Sequence, residues 1–293
     1  MLDKKKKNKL ETKLLLDAIF ETYGYDFRKY AVASLNRRIA HRVKQSELVN
    51  ISDMIPLVIN DTHFFNLFLK DMSISVTEMF RDPPFFKAIR EAIIPQLKTY
   101  PFVKIWHAGC STGEEVYSMA ILLKEEGFYN KAKMYATDYN SHSLEIAKEG
   151  LYKVEDVKKY AKTYNQTGGK GSLSDYYIAN SFSAKFDSDL KQNITFANHN
   201  LAQDEHFGEM NMIICRNVLM YFDPDLQNRV LKLFNRSLVH NGLLCLGQKE
   251  SLIFSDIQSD FELVDENLSI YRKKKPTSFT PITISKKENV SID

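Results

Sequence analysis

The chain has 293 residues, enough for two ordinary domains or one large one with a sizeable core. Its composition is globular, 44% hydrophobic and 26% charged, and 40 basic against 37 acidic residues leave a net charge of only +3, which excludes a surface devoted wholly to nucleic acid. The basic start MLDKKKKNKLETK lacks the apolar run of a secretory leader, and no stretch approaches the roughly 20 apolar residues of a membrane span.

Residues 1–10 are expected to be a basic flexible start. Residues 11–74 carry helical periodicity: LLLDAIFETYG places Leu14, Leu15, Ile19 and Tyr23 near one face and stops at Gly24, and DFRKYAVASLNRRIAHRVKQ continues with Tyr30, Leu35, Ile39 and Val43. The apolar groups of MIPLVIN and FFNLFLKDM follow. Residues 75–100 form a linker and connecting helix, PPFFKAIREAIIPQLK, with proline at its start.

From 101 to 273 short apolar runs alternate with helical stretches. FVKIWHA, KMYATD, ITFANHN and MNMIICRN are strand-like, EEVYSMAILLKEE, HSLEIAKEGLY and PDLQNRVLKLFNRSL are helix-like, NGLLCLGQKE holds a turn signal and LVDENLSIYRKKK is a terminal strand. This α/β alternation implies a mainly parallel sheet with ligands at the carboxyl ends of its strands. An interval at about 153–195 is too long for an ordinary connection; its glycine-rich NQTGGKG before YYIANSFSAKF predicts an inserted helix-plus-hairpin unit. Residues 274–293 are polar and aperiodic, as in a disordered tail. The three cysteines, Cys110, Cys215 and Cys245, show neither CxxC nor His/Cys spacing, so reduced, buried thiols in a cytoplasmic protein are expected and no metal site is.

The strand-to-helix stretch IWHAGCSTGEEVYSMA (105–120) brings backbone close to a ligand. A triphosphate would want the GK[ST] arrangement, yet the corresponding place holds Gly113, Glu114 and Glu115. Two carboxylates in a first helical turn suit the helix dipole but repel phosphate. They suit a cation. With Asp138 at the end of the next strand, placed to accept from ribose hydroxyls, the pattern fits S-adenosylmethionine, a cationic nucleoside without phosphate. The competing reading is a capping glutamate with a solvated neighbour, and an aspartate that merely closes a strand.

Five segments occur in order: SVTEMFRDPPFF (75–86), AGCSTGEEVYSMA (108–120), ATDYNSHSLEIAKEGLY (136–152), FANHNL (196–201) and CRNVLMYFDPDLQNRVL (215–231). Together, over about residues 10–273, they resemble the CheR family of S-adenosylmethionine-dependent methyltransferases that esterify glutamates of chemotaxis receptors. The resemblance implies an N-terminal all-α domain, then a Rossmann-like methyltransferase domain with a small antiparallel β-subdomain insertion. It further implies that Ser75, Thr77, Arg81, Gly109, Glu115, Asp138, Asn200, Leu201, Arg216 and Asn217 bind the cofactor, with Tyr221 on the substrate side. The sequence departs from the family pattern at Ser75, Met79, His107, Val116, Gln248 and Lys249; Ser75 is shorter than the usual asparagine.

Transfer of a methyl group to an ionised glutamate needs no general base, chiefly alignment. Arg81 is the first choice to orient the carboxylate through a fork of donors, with a salt bridge to Asp82 as the alternative. Tyr221 is a hydrogen-bond donor near the transferring methyl or a packed tyrosine, and Arg216 is a pocket wall or the partner of Asp223. His107 packs or hydrogen-bonds beside the loop, since no proton needs taking. NRRIAHRVK puts Arg38 and Arg42 on one helical face beside Arg37, a stripe either solvated or docking onto acidic receptor helices. The expected partners are the cytoplasmic methylation region of membrane receptors and a receptor C-terminal peptide at the β-subdomain. Neither nucleic acid nor membrane insertion is expected, and the chain is taken as a monomer recruited to receptor arrays. Alternatives are the same chemistry in a non-chemotaxis signalling pathway, or a non-catalytic cofactor-binding docking module.

Overall fold

The computed structural model describes residues 3–72, 77–205 and 207–275. Residues 276–293 of the expected tail lie outside them, as does Ser75. Helix α1 (Lys4–Tyr23) starts on Asp3, whose side chain accepts from the amides of Lys5 and Lys6, so the lysines expected to be a flexible start are helical. It stops at Gly24, in the left-handed conformation with φ 77°, which returns its N–H to Phe20 O. Helices α2 (Val32–Gln45), α3 (Met54–Asn60) and α4 (Thr62–Met72) complete the N-terminal unit. Tyr30, which the periodicity places in a helix, instead forms an antiparallel bridge to Phe222. The connecting helix is continuous, as α5 (Pro83–Ala88), a π turn (Ile89–Ile93) and α6 (Ile94–Leu97).

The second unit runs β1 (Val103–Ala108), α7 (Glu114–Glu125), β2 (Ala132–Asp138), α8 (Ser141–Glu149), β3 (Leu151–Lys153), α9 (Val154–Gln166), β4 (Tyr177–Ala179), β5 (Ser183–Phe186), β6 (Ile194–Asn198), β7 (Met210–Cys215), α10 (Pro224–Ser237), β8 (Leu238–Leu246), β9 (Phe261–Asp265) and β10 (Ile270–Lys273). The seven-stranded sheet has the order β6-β2-β1-β7-β8-β10-β9. Its first five strands are parallel, and β10 lies antiparallel between β8 and β9. The single terminal strand expected from LVDENLSIYRKKK is therefore two strands joined by a turn. A separate antiparallel sheet, β3-β5-β4, with α9 forms the small insertion.

Alternation along β1 divides the core. Ile105 packs on the side of α7 with Tyr117, Met134 and Ile214, whereas Trp106 packs on the other side with Ile213, Phe234 and Leu244. Leu15, Ile19 and Phe68 of the N-terminal unit belong to that second cluster. The N-terminal unit thus shares its hydrophobic core with one face of the sheet. Backbone bonds from Ala31 N to Tyr221 O and from Asp223 N to Lys29 O, both 2.9 Å, fasten the same junction.

Candidate active site

The main cleft lies beyond the carboxyl ends of β6, β2, β1 and β7, and is closed by Tyr30, Arg38 and Met72 of the N-terminal unit. It holds about 1050 Å³ of space, open solvent included. Parallel strands bring their carboxyl ends to one edge, and the loops that follow converge there. The turn after β1 is anchored by Gly109 N and Cys110 N, which donate to Thr137 O of β2. Gly109 has φ 79°, and a Cβ there would stand 2.7 Å from Val218, so this approach to the loop after β7 requires glycine.

Asp138 is 9% exposed and accepts from Ser111 N and Asn140 N, each at 2.9 Å. It thereby ties the glycine turn to the end of β2. Each carboxylate oxygen has two lone pairs, so capacity remains for hydroxyl donors in the cleft. Burial pushes its carboxyl above the usual aspartate range, against the pull of the backbone amides.

Glu115 and Arg216 also line the cleft, joined as an ion pair. Arg216 Nη1 donates to Glu115 at 3.0 Å, Nη2 reaches Asp82 at 2.5 Å, and the guanidinium lies 4.1 Å over the Phe85 ring. Asp82 is thus a partner of Arg216, and Asp223, weighed for that place, accepts from Leu226 N as the cap of α10. The other Glu115 oxygen is 3.2 Å from His107 Nδ1. Burial raises the Glu115 pKa, but the His107 hydrogen bond and Arg216 outweigh it and hold the carboxyl below its ordinary value. Glu114 is not a solvated neighbour: it is 7% exposed, accepts from the Thr112 hydroxyl at 2.7 Å, and is pushed up to about 7 by burial.

Thr77, Arg81, Gly109, Glu115, Asp138, Asn200, Leu201, Arg216, Asn217 and Tyr221 all line this cleft. The docking stripe is corrected. Arg37 is exposed, but Arg38 and Arg42 are buried because that face of α2 packs inward. Arg42 pairs with Asp71 at 2.6 Å and donates to Leu67 O, which fastens α2 to α4. Arg38 reaches the cleft: Nη1 donates to Met72 O, the guanidinium lies 5.0 Å from the Tyr221 ring centroid, and buried Nη2 has no hydrogen-bond partner among the described residues.

Sequence reasoning missed Glu250. This buried carboxylate accepts from Gly247 N at 2.7 Å, Asn217 N at 2.9 Å and Met220 N at 3.1 Å. It holds the loop carrying Arg216 and Tyr221, in which Asn217 has φ 60°. No motif signals it, since the three amides meet only in the folded chain.

A glycine turn without a phosphate-binding lysine, a carboxylate poised for a cation and a strand-end aspartate fit S-adenosylmethionine, and on this parallel sheet they define a Rossmann-like methyltransferase. The particular family follows from its relatives. Residues 75–269 match the CheR methyltransferase SAM-binding domain and residues 10–73 the CheR methyltransferase all-alpha domain, so the chain belongs to the CheR methyltransferase family and binds S-adenosylmethionine. It is 47% identical over 264 residues to Cher3 of Pseudomonas putida, a protein whose methyltransferase name is itself provisional, covering 90% of this chain and 97% of that one. It is 29% identical over 264 residues to the chemotaxis protein methyltransferase of Vibrio anguillarum, covering 85% of this chain and 90% of that one. Among solved structures, the N-methyltransferase NodS of Bradyrhizobium japonicum with S-adenosyl-L-homocysteine matches at 12% identity and TM-score 0.32, over 58% of this chain and 63% of that one, too low to carry an argument. Among the described residues no cluster of metal-binding side chains occurs and no helix is long and apolar enough to cross a membrane.

Proposed function

We propose that this protein methylates glutamate side chains of chemotaxis receptors in the cytoplasm, at receptor arrays. The carrying observation is that Arg38 from the N-terminal unit and Arg81 from the linker line one cleft together with Glu115 and Asp138. S-adenosylmethionine supplies a methyl group on a sulfonium. Glu115 receives its amino end, Asp138 accepts from the ribose hydroxyls, and Asn200 with Leu201 flanks the base. Arg38 and Arg81 hold the acceptor carboxylate, already ionised at neutral pH, so the protein aligns the reactants and takes no proton. Arg216 acts through Glu115 and Asp82, as a positioning residue.

Relatives bearing the name chemotaxis protein methyltransferase support the receptor as substrate. In the small sheet β4 is an edge strand; its Ile178 is 78% exposed and Phe182, in the turn to β5, is 85% exposed, which supports capture of a receptor-tail peptide by strand addition. Labelled methyl from S-adenosylmethionine should enter receptor-enriched membranes and leave on mild base treatment, as an ester does. Tight cofactor binding without transfer to any receptor tested would overturn this reading.

A further inference from the structure

His107 is the member of the strand-to-helix stretch that methyl transfer leaves without a task. It sits in the central strand, in register with Ala136 of β2 and Ile214 of β7, and is 1% exposed. Its ring lies on the same side of β1 as Ile105 and faces α7, where Nδ1 meets Glu115 Oε1 at 3.2 Å. The second Glu115 oxygen belongs to Arg216.

The hydrogen bond has one workable direction. An ionised carboxylate only accepts, so His107 donates from Nδ1. In the Nδ1–H tautomer Nε2 carries no proton, which matches a buried atom with no hydrogen-bond partner among the described residues. His107 is not among the residues that line the cleft. What it touches is the carboxylate that does line the cleft.

We propose that His107, in the Nδ1–H tautomer, is a positioning residue for the cofactor's amino end. Together with Arg216 it clamps both oxygens of Glu115, so the carboxylate is fixed before the ligand arrives. A carboxylate held by one donor can rotate about its terminal torsion, whereas one held at both oxygens cannot. The ordering cost of the site is thereby met during folding. This inference rests on the reading that Glu115 receives the amino end.

The test compares calorimetric binding of S-adenosylhomocysteine with that of 5′-methylthioadenosine, which shares the nucleoside and sulfur but lacks the amino-acid end. In His107→Asn the amide nitrogen takes the place of Nδ1; in His107→Gln it takes the place of Nε2. S-adenosylhomocysteine affinity should stay within about threefold of wild type in His107→Asn and fall about tenfold in His107→Gln and His107→Phe, the scale of one charge-assisted hydrogen bond. Methylthioadenosine should bind all four proteins alike. Unchanged S-adenosylhomocysteine affinity in both His107→Gln and His107→Phe, or equal loss of the two ligands, overturns the proposal. Nitrogen NMR of the wild-type imidazole should show the proton on Nδ1, and a proton on Nε2 instead would also overturn it. Glu115→Gln separates the two readings: if it spares S-adenosylhomocysteine, the role of Glu115 fails, whereas loss there but not in the His107 variants sinks the clamp alone.

Discussion

Two buried arginines face the same cleft and are treated oppositely by their surroundings. Arg216, on the loop after β7, is held between Glu115 and Asp82 and covered by Phe85. Arg38, brought by the N-terminal unit, has one carbonyl and one aromatic face, and burial pulls its guanidinium below the ordinary arginine range. It stays protonated at neutral pH nonetheless. A guanidinium already neutralised by carboxylates builds the wall; the one short of acceptors among the described residues is the one the proposed function gives to the anionic substrate. The sheet-borne wall thus suits a cationic cofactor, while on the proposed function the acceptor carboxylate completes the wall from the helical unit.

That contrast breaks first at Arg216. Arg216→Met leaves Glu115 and Asp82 without their shared cation and should cost about 3 kcal/mol of stability in denaturant titrations, with cofactor affinity lost as well. Arg38→Met should do the reverse: unchanged or slightly raised stability, S-adenosylhomocysteine affinity within about threefold, and methyl transfer about 100-fold slower, roughly 2.7 kcal/mol of transition-state binding. Equal effects of the two variants on stability would erase the distinction.

The carboxylates sharpen it further through pH. The Glu114 carboxyl, raised to about 7 by burial, binds its proton more tightly folded than unfolded. Stability is therefore lost as pH rises from the unfolded carboxyl range through 7, and Glu114→Gln should remove on the order of 2 kcal/mol of that decline between pH 5 and 8, measured by unfolding at each pH. Glu115 has the opposite sign: its depressed carboxyl contributes stability that is present above the unfolded pKa and disappears as pH falls through the folded one. The smallest effect belongs to Glu250→Gln. The amide keeps one acceptor oxygen and turns a donor toward the backbone N–H groups, so about 1 kcal/mol should go, seen as several-fold faster hydrogen exchange at Asn217 and Met220.

Local pattern determined much of this protein. The period shift near residue 101, the glycines around Cys110, the missing phosphate-binding lysine and the Asp138 strand end each depend on neighbours in the chain, so a parallel sheet with a cationic nucleoside ligand was legible in the sequence. Proline at the start of α5 and Gly24 at the end of α1 likewise act locally. The two faces of α2 were not so legible: periodicity places Arg38 and Arg42 together but does not say whether that face meets water or protein. The answer depends on α4 and Tyr221, far away in the chain. The same holds for Asp82 and Glu115, whose shared cation is Arg216, and for Glu250, whose three amide donors come from two loops. Tertiary structure decided these because burial and charge pairing are set by what packs opposite a residue, and the sequence states only what lies beside it.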